Sequence, residues 1–183
     1  MSKDSISSLF DSFAALLEYP SAQTKEKAQV FLDQVQVPSE AVEELEKFIR
    51  AIGQLSLDRM QEVYTITFDM QPVCYPYVGY HLFGESYKRG AFMAQLNEAY
   101  HALGYSAGQE LPDHMAIVLR FIGLDSTNRQ GDFCQALIHD GVMPALEKML
   151  KVFGEQSENP YHELLLALRL FLAHTPEKEL THA

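Results

Sequence analysis

Two stretches of this chain are apolar almost all the way round a helix. They are Met115-Ala116-Ile117-Val118-Leu119-Arg120-Phe121-Ile122 and Leu164-Leu165-Leu166-Ala167-Leu168-Arg169-Leu170-Phe171-Leu172. A helix without a polar face belongs in an interior, so the remainder of the chain has to wrap around these two. The run from Leu164 to Ala173 is broken by Arg169 and is too short to cross a bilayer. No membrane insertion is expected.

The segments available for wrapping are amphipathic at helical spacing. Ile6, Leu9, Phe10, Phe13, Leu16 and Leu17 form one stripe, stopped by Tyr19-Pro20. Ser21 can cap a second helix carrying Ala28, Phe31, Leu32 and Val35. Ser39 can cap a third, with Val42, Leu45, Phe48, Ile49 and Ile52 inward, Gly53 at its end, and Glu40, Glu43, Glu44 and Glu46 on a solvated face. Ser56 opens a fourth, with Leu57, Met60, Tyr64 and Phe68 about a turn apart. A fifth is expected from about Ser86 to Leu103, with Phe92, Leu96, Ala99, Tyr100 and Leu103 inward and Gly104 at its C-terminus. Pro112 suits the first turn of a sixth. Further helices are expected near Asn128–His139, Pro144–Phe153 and Pro160–His174. No repeat or linker divides the chain, so the expectation is one all-α domain over residues 1–183, a bundle of about eight to nine helices.

Charge narrows the function. Fourteen Lys and Arg stand against 25 Asp and Glu, a formal net charge of −11. With no basic cluster to neutralise phosphates, nucleic acid is not an expected partner. An acidic surface serves solubility, and it can also attract a basic peptide. Met1-Ser2-Lys3-Asp4-Ser5 lacks a cationic region leading into an apolar run, so no secretory leader is expected. Cys74 and Cys134 stand apart from each other and from any His at ligand spacing, as reduced thiols of a cytoplasmic protein would.

Between Met70 and Phe83 the periodicity fails, because Pro72, Pro76 and Gly79 break helix and strand alike. Tyr75, Tyr77, Tyr80, Phe83 and Tyr87 place five of the twenty aromatics within thirteen residues. The segment either packs down as an irregular plug or offers rings to a partner. Two charged blocks flank helix starts nearby. In His81-Leu82-Phe83-Gly84-Glu85-Ser86-Tyr87-Lys88-Arg89-Gly90, Glu85 can pair with Lys88 and Arg89 across one turn, or Glu85 or Arg89 can turn inward and fix the loop. In Glu110-Leu111-Pro112-Asp113-His114, Asp113 is placed to cap the following helix, and His114 reads as a hydrogen-bonded structural group. Arg120, two turns beyond Asp113, is one of few polar groups on an apolar helix and points to a buried or clefted partner.

An enzyme would draw acid–base chemistry from His81, Glu85, Asp113 and His114. No catalytic residues are expected, however, because no nucleophile turn or phosphate-cradling loop accompanies them. No metal is expected either: Glu110 and His114 supply only a pair of ligands, with Pro112 between them. No cofactor is expected. The alternative to a protein-binding surface is a small helical protein that handles a nucleotide or cofactor with the same His, Glu and Asp groups.

Taken in order, Leu17-Glu18-Tyr19-Pro20, Tyr64-Thr65-Ile66-Thr67-Phe68-Asp69, His81 with Gly84-Glu85-Ser86 and Arg89-Gly90, and Glu110-Leu111-Pro112-Asp113-His114 resemble the assembly chaperones of molybdoenzymes. The likeness is to the NarJ-type nitrate reductase chaperones, related to the TorD and DmsD types, and it covers most of residues 9–125. It implies an all-helical cytoplasmic chaperone, monomeric or dimeric. Such a chaperone binds the N-terminal segment of an apo catalytic subunit and holds it for molybdenum cofactor insertion. The implied client is the nitrate reductase alpha subunit. The loop Met70-Gln71-Pro72-Val73-Cys74-Tyr75-Pro76-Tyr77, where the nitrate reductase chaperones carry Gly and Ser, leaves selenate, chlorate and dimethyl sulfide dehydrogenase types open as clients. The implied client-peptide surface comprises Tyr64, Phe68, Asp69, Pro76, Tyr77, Tyr80, His81, Glu85, Arg89, Pro112, Asp113 and His114. Aromatic rings would line a groove for an amphipathic helix, and acidic groups would meet its Arg or Lys.

Overall fold

A computed structural model describes residues 3–35, 39–70, 74–124, 126–154 and 158–174, and among them the regular structure is helical. The elements run α1 (Lys3–Leu16), α2 (Thr24–Gln34), α3 (Ser39–Gly53), α4 (Leu57–Tyr64), α5 (Val78–Phe83), α6 (Tyr87–Ala102), α7 (Met115–Gly123), α8 (Ser126–Gln130), α9 (Asp132–Ala136), α10 (Met143–Phe153) and α11 (Pro160–Ala173). The two apolar segments form α7 and α11. Met115, Val118, Leu119 and Ile122 are buried on α7, as are Leu164, Leu165, Leu168 and Phe171 on α11. Helix α1 packs along α7, and α3 along α11. Phe10 and Phe13 of α1 meet Phe171 of α11 at 5.2 and 5.4 Å between ring centroids, which joins the two layers into one core.

The helix pattern differs from expectation in five places, the first being that Pro112 lies ahead of α7, which begins at Met115 with His114 as its cap. The Met70–Phe83 stretch contains α5, a helix too short to show a period. The helix expected over Asn128–His139 breaks at Gly131 into α8 and α9, then a π-helical turn over Leu137–Val142. Gly131 sits close to the preceding turn: a Cβ would lie 3.1 Å from the Asn128 carbonyl oxygen, a tight contact. Ser21 does not cap α2, which begins three residues later after Gln23; its backbone N–H instead donates to Thr24 Oγ1 at 2.9 Å. Leu103, expected inward, is half exposed.

Other local signals act as the sequence indicates. Ser56 Oγ accepts the Arg59 N–H. Gly104 ends α6 with φ +65°, and Tyr105 N–H closes back onto the Tyr100 carbonyl at 2.9 Å. Ser39 is the first residue of α3, and its neighbours 36–38 lie outside the described residues.

Candidate client-binding surface

The aromatic loop is mainly a plug, with one face left open. Cys74, Pro76, Val78 and Gly79 are buried, whereas Tyr75, Tyr77, Tyr80 and His81 are half-buried, and Phe83 and Tyr87 are exposed. The loop is stitched to the start of α7 by backbone bonds. Val78 N–H donates to the Asp113 carbonyl at 2.8 Å and Met115 N–H to the Pro76 carbonyl at 2.7 Å, an antiparallel bridge across Tyr77 and His114. The two sequence blocks are therefore adjacent in space.

Asp113 does not cap α7. It is fully buried and takes a two-pronged bond from Arg89, with Nε to Oδ2 at 2.8 Å and Nη2 to Oδ1 at 3.3 Å. Arg89 has thus turned inward instead of forming a surface pair with Glu85, which is exposed. The bond to Asp113 raises the Arg89 pKa above its ordinary value. Its guanidinium also lies over the Tyr77 and Tyr80 rings, 5.2 and 5.9 Å from their centroids. Gly79 makes this approach possible: a Cβ there would sit 2.7 Å from Asp113 Oδ2 and 2.9 Å from Phe92 Cδ1.

His114 takes the cap that Asp113 vacates. Its Nδ1 accepts the Ala116 N–H at 3.2 Å, which requires a neutral imidazole, and burial lowers its pKa accordingly. His81 is likewise lowered by burial; its Nε2 donates to the Tyr75 carbonyl at 2.7 Å. The Tyr75 and Tyr80 rings meet edge-on at 4.7 Å, so the loop holds its own aromatics in place.

Tyr64 and Phe68 are core residues packed against Tyr161, and Tyr64 Oη donates to the Leu17 carbonyl at 3.2 Å. After Tyr64 the chain widens into a π-helical turn over Thr65–Asp69, in which Met70 N–H reaches the Thr65 carbonyl. Thr67 supports the turn, donating to Val63 O at 2.6 Å and accepting from Asn159 Nδ2 at 2.7 Å. Asp69 and Met70 emerge exposed from it. Pro112 is half-buried, its carbonyl accepting from Tyr100 Oη at 2.7 Å.

The structure adds acidic residues that sequence reasoning left out of the site. Tyr77 Oη donates to Glu110 Oε1 at 3.2 Å. Burial first, then Glu110, pushes the Tyr77 phenol up to about 12. The charges of Asp69, Glu110 and Glu18 all bear on Tyr64, and those of Glu110 and Glu18 on His114. Of these, Glu110 touches Tyr77 and Glu18 pairs with Arg120, and the half-exposed Tyr19 ring meets Tyr64 edge-on. Glu18 and Glu110 lie inside sequence blocks already singled out, but nothing in their local pattern marks these partners. Of the expected site residues, Tyr77, Tyr80, His81, Arg89, Pro112, Asp113 and His114 form one block around the loop. Pro76 is buried within the loop, Tyr64 and Phe68 are core residues packed against Tyr161, Asp69 is exposed, and Glu85 is exposed outside the ion pair.

Among the described residues, no group of three or more His, Cys, Asp or Glu side chains could hold a metal ion. None of the described helices is long and apolar enough to cross a membrane. Cys74 and Cys134 are buried thiols, and burial pushes the Cys74 thiol up to about 12, away from thiolate reactivity.

A buried carboxylate paired with Arg89 locks the aromatic loop onto the start of α7, with Glu110 beside Tyr77. A family model described as nitrate reductase delta subunit matches residues 35–167, and the chain belongs to that family of NarJ-type chaperones. It is accordingly a redox enzyme maturation chaperone. No curated protein matches the chain. Its fold is similar to that of a crystal structure assigned as a redox enzyme maturation protein, from Archaeoglobus fulgidus. The two share 23% identity with a TM-score of 0.61, over 90% of this chain and 91% of that one.

Proposed function

We propose that this chain binds the N-terminal segment of an apo molybdoenzyme catalytic subunit, the nitrate reductase alpha subunit, and holds it until molybdenum cofactor is inserted. It acts in the cytoplasm and catalyses no reaction itself. The observation that carries this reading is the half-buried Tyr77–Tyr80 face, clamped by the Arg89–Asp113 pair and bordered by Glu110. Fixed aromatic rings offer an amphipathic helix apolar contact at little conformational cost. The neighbouring carboxylate favours Arg or Lys on that helix and disfavours acidic segments. Family membership supports the same reading.

Co-expression with the alpha subunit tests it. The apo-subunit should co-purify with the chain, and a subunit lacking its N-terminal segment should not. Equal recovery of both forms would place recognition elsewhere in the client. A nucleotide or cofactor bound tightly by the isolated chain, or turnover by it, would favour the small cofactor-handling protein instead.

A further inference from the structure

The helix that carries Tyr80 and His81, α5, is six residues long, too short to hold its shape alone. Its N-terminal end is fixed by the backbone bonds to the start of α7. The carbonyls at its C-terminal end need donors from outside the helix. Gly84, at φ +63°, turns its N–H onto the Tyr80 carbonyl at 2.8 Å, and Ser86 Oγ donates to the Phe83 carbonyl at 3.0 Å. Both donors belong to the adjoining turn. The His81 carbonyl instead takes its bond from Lys148 Nζ at 2.6 Å, 67 residues away on α10.

Lys148 reaches α5 because α10 packs beside it. Gly141, in the π-helical turn that leads into α10, brings that backbone to the start of α5: a Cβ there would lie 3.3 Å from Leu137 Cδ1 and 3.8 Å from Val78 Cγ1. Lys148 follows seven residues later, about two helical turns on, and meets the end of α5. His81 is thereby held twice, by its carbonyl to Lys148 and by its ring to the Tyr75 carbonyl. Its neighbour Tyr80 packs edge-on against Tyr75 and lies under the Arg89 guanidinium. A shift of the His81 backbone therefore displaces the Tyr80 ring.

We propose that Lys148 is a positioning residue for client recognition: by donating to the His81 carbonyl it holds the end of α5, and with it Tyr80, in the orientation that receives the client segment. This inference rests on the client-binding function proposed above. Lys148 is exposed and meets α5 through its ammonium group, so its removal loosens α5 without emptying the core. The client then has to order α5 as it binds, and that cost appears in the affinity.

The test titrates the N-terminal peptide of the alpha subunit into the full chain and into Lys148→Met, Lys148→Arg and Lys151→Met variants. Lys148→Met should weaken binding roughly threefold to tenfold, the range of one net hydrogen bond, with a melting temperature close to the parent's. Lys148→Arg keeps a charged donor and should recover most of the affinity. Lys151→Met removes the same charge about one turn along α10, from a side chain that faces α11 instead. On a chain of net charge −11, that loss should leave a basic segment bound equally or more tightly. The sign of the effect thus separates positioning from charge. A second readout needs no client: burial lowers the His81 pKa and the Lys148 charge adds to it, so the His81 ring should titrate at higher pH by NMR in Lys148→Met and as in the parent in Lys148→Arg. Parent-like affinity of Lys148→Met would overturn the proposal, as would equal weakening by Lys151→Met or an unmoved His81 titration in Lys148→Met. Failure of the parent chain to bind the peptide would refute the client-binding function itself, and the positioning role with it.

Discussion

Arg89 and Asp113, 24 residues apart, form a two-pronged ion pair in which the carboxylate is fully buried and the guanidinium partly so. The pair lies beneath Tyr77 and Tyr80 and fixes how those rings meet solvent. It is a structural clamp for the proposed client surface.

Removing half of a buried pair leaves the other charge uncompensated, which typically costs about 3–5 kcal/mol. Asp113→Ala should therefore destabilise the chain by about that much in urea unfolding, well beyond the roughly 0.5–2 kcal/mol of a lost helix cap. A loss within the capping range would mean that Arg89 finds water or another partner once Asp113 is gone.

Gly79→Ala tests the same clamp without touching a charge. A methyl group would press on Asp113 Oδ2 and on Phe92, and overpacking of this kind costs about 1–3 kcal/mol. Thermal unfolding should show the loss. Gly90→Ala, where a Cβ meets nothing within 4 Å, should not be destabilising. Equal behaviour of the two variants would contradict the close approach at Gly79.

His114 and His81 both have folded pKa values below the ordinary 6.5. Between the folded and unfolded values the unfolded chain binds more protons, so stability rises with pH in that window. Their contribution is complete above about 6.5 and is lost as pH falls through the folded values. The urea midpoint should therefore drop between pH 7.5 and pH 5. His114→Asn keeps an acceptor for the Ala116 N–H but cannot titrate, so it should reduce that drop. An identical pH profile in the variant would rule out His114 as a contributor.

Much of the fold is legible in the sequence because burial leaves a local trace. The apolar runs of α7 and α11 demand an interior place, and Ser56 and Gly104 mark helix ends through chemistry confined to one turn. The short α5 leaves no such trace, since Val78–Phe83 is less than two turns long and begins two residues after Pro76. The site is legible as two blocks but not as a geometry. Asp113 beside a helix start looks like a cap, and only the fold brings Arg89 to it and gives the cap to His114. Gly79, Glu18 and Glu110 acquire their roles from neighbours distant in sequence.

Client binding should be partly electrostatic, because Glu110 borders the Tyr77 ring on a chain with net charge −11. Exposed charges are screened as salt rises. Affinity for the alpha-subunit N-terminal peptide should fall steadily between about 0.05 and 0.5 M salt; salt-independent binding would leave only the aromatic face in play.

The most direct measurement is a calorimetric titration of that peptide into the folded parent chain and into Tyr77→Ala, Tyr80→Ala and Glu110→Gln variants. Truncating a central aromatic contact typically costs at least 1–2 kcal/mol of binding, or about tenfold in affinity. Both tyrosine variants should bind about tenfold or more weakly, and Glu110→Gln more weakly than the parent, with melting temperatures close to the parent's. Parent-like affinity in all three folded variants would contradict the assignment of the client surface to the aromatic block.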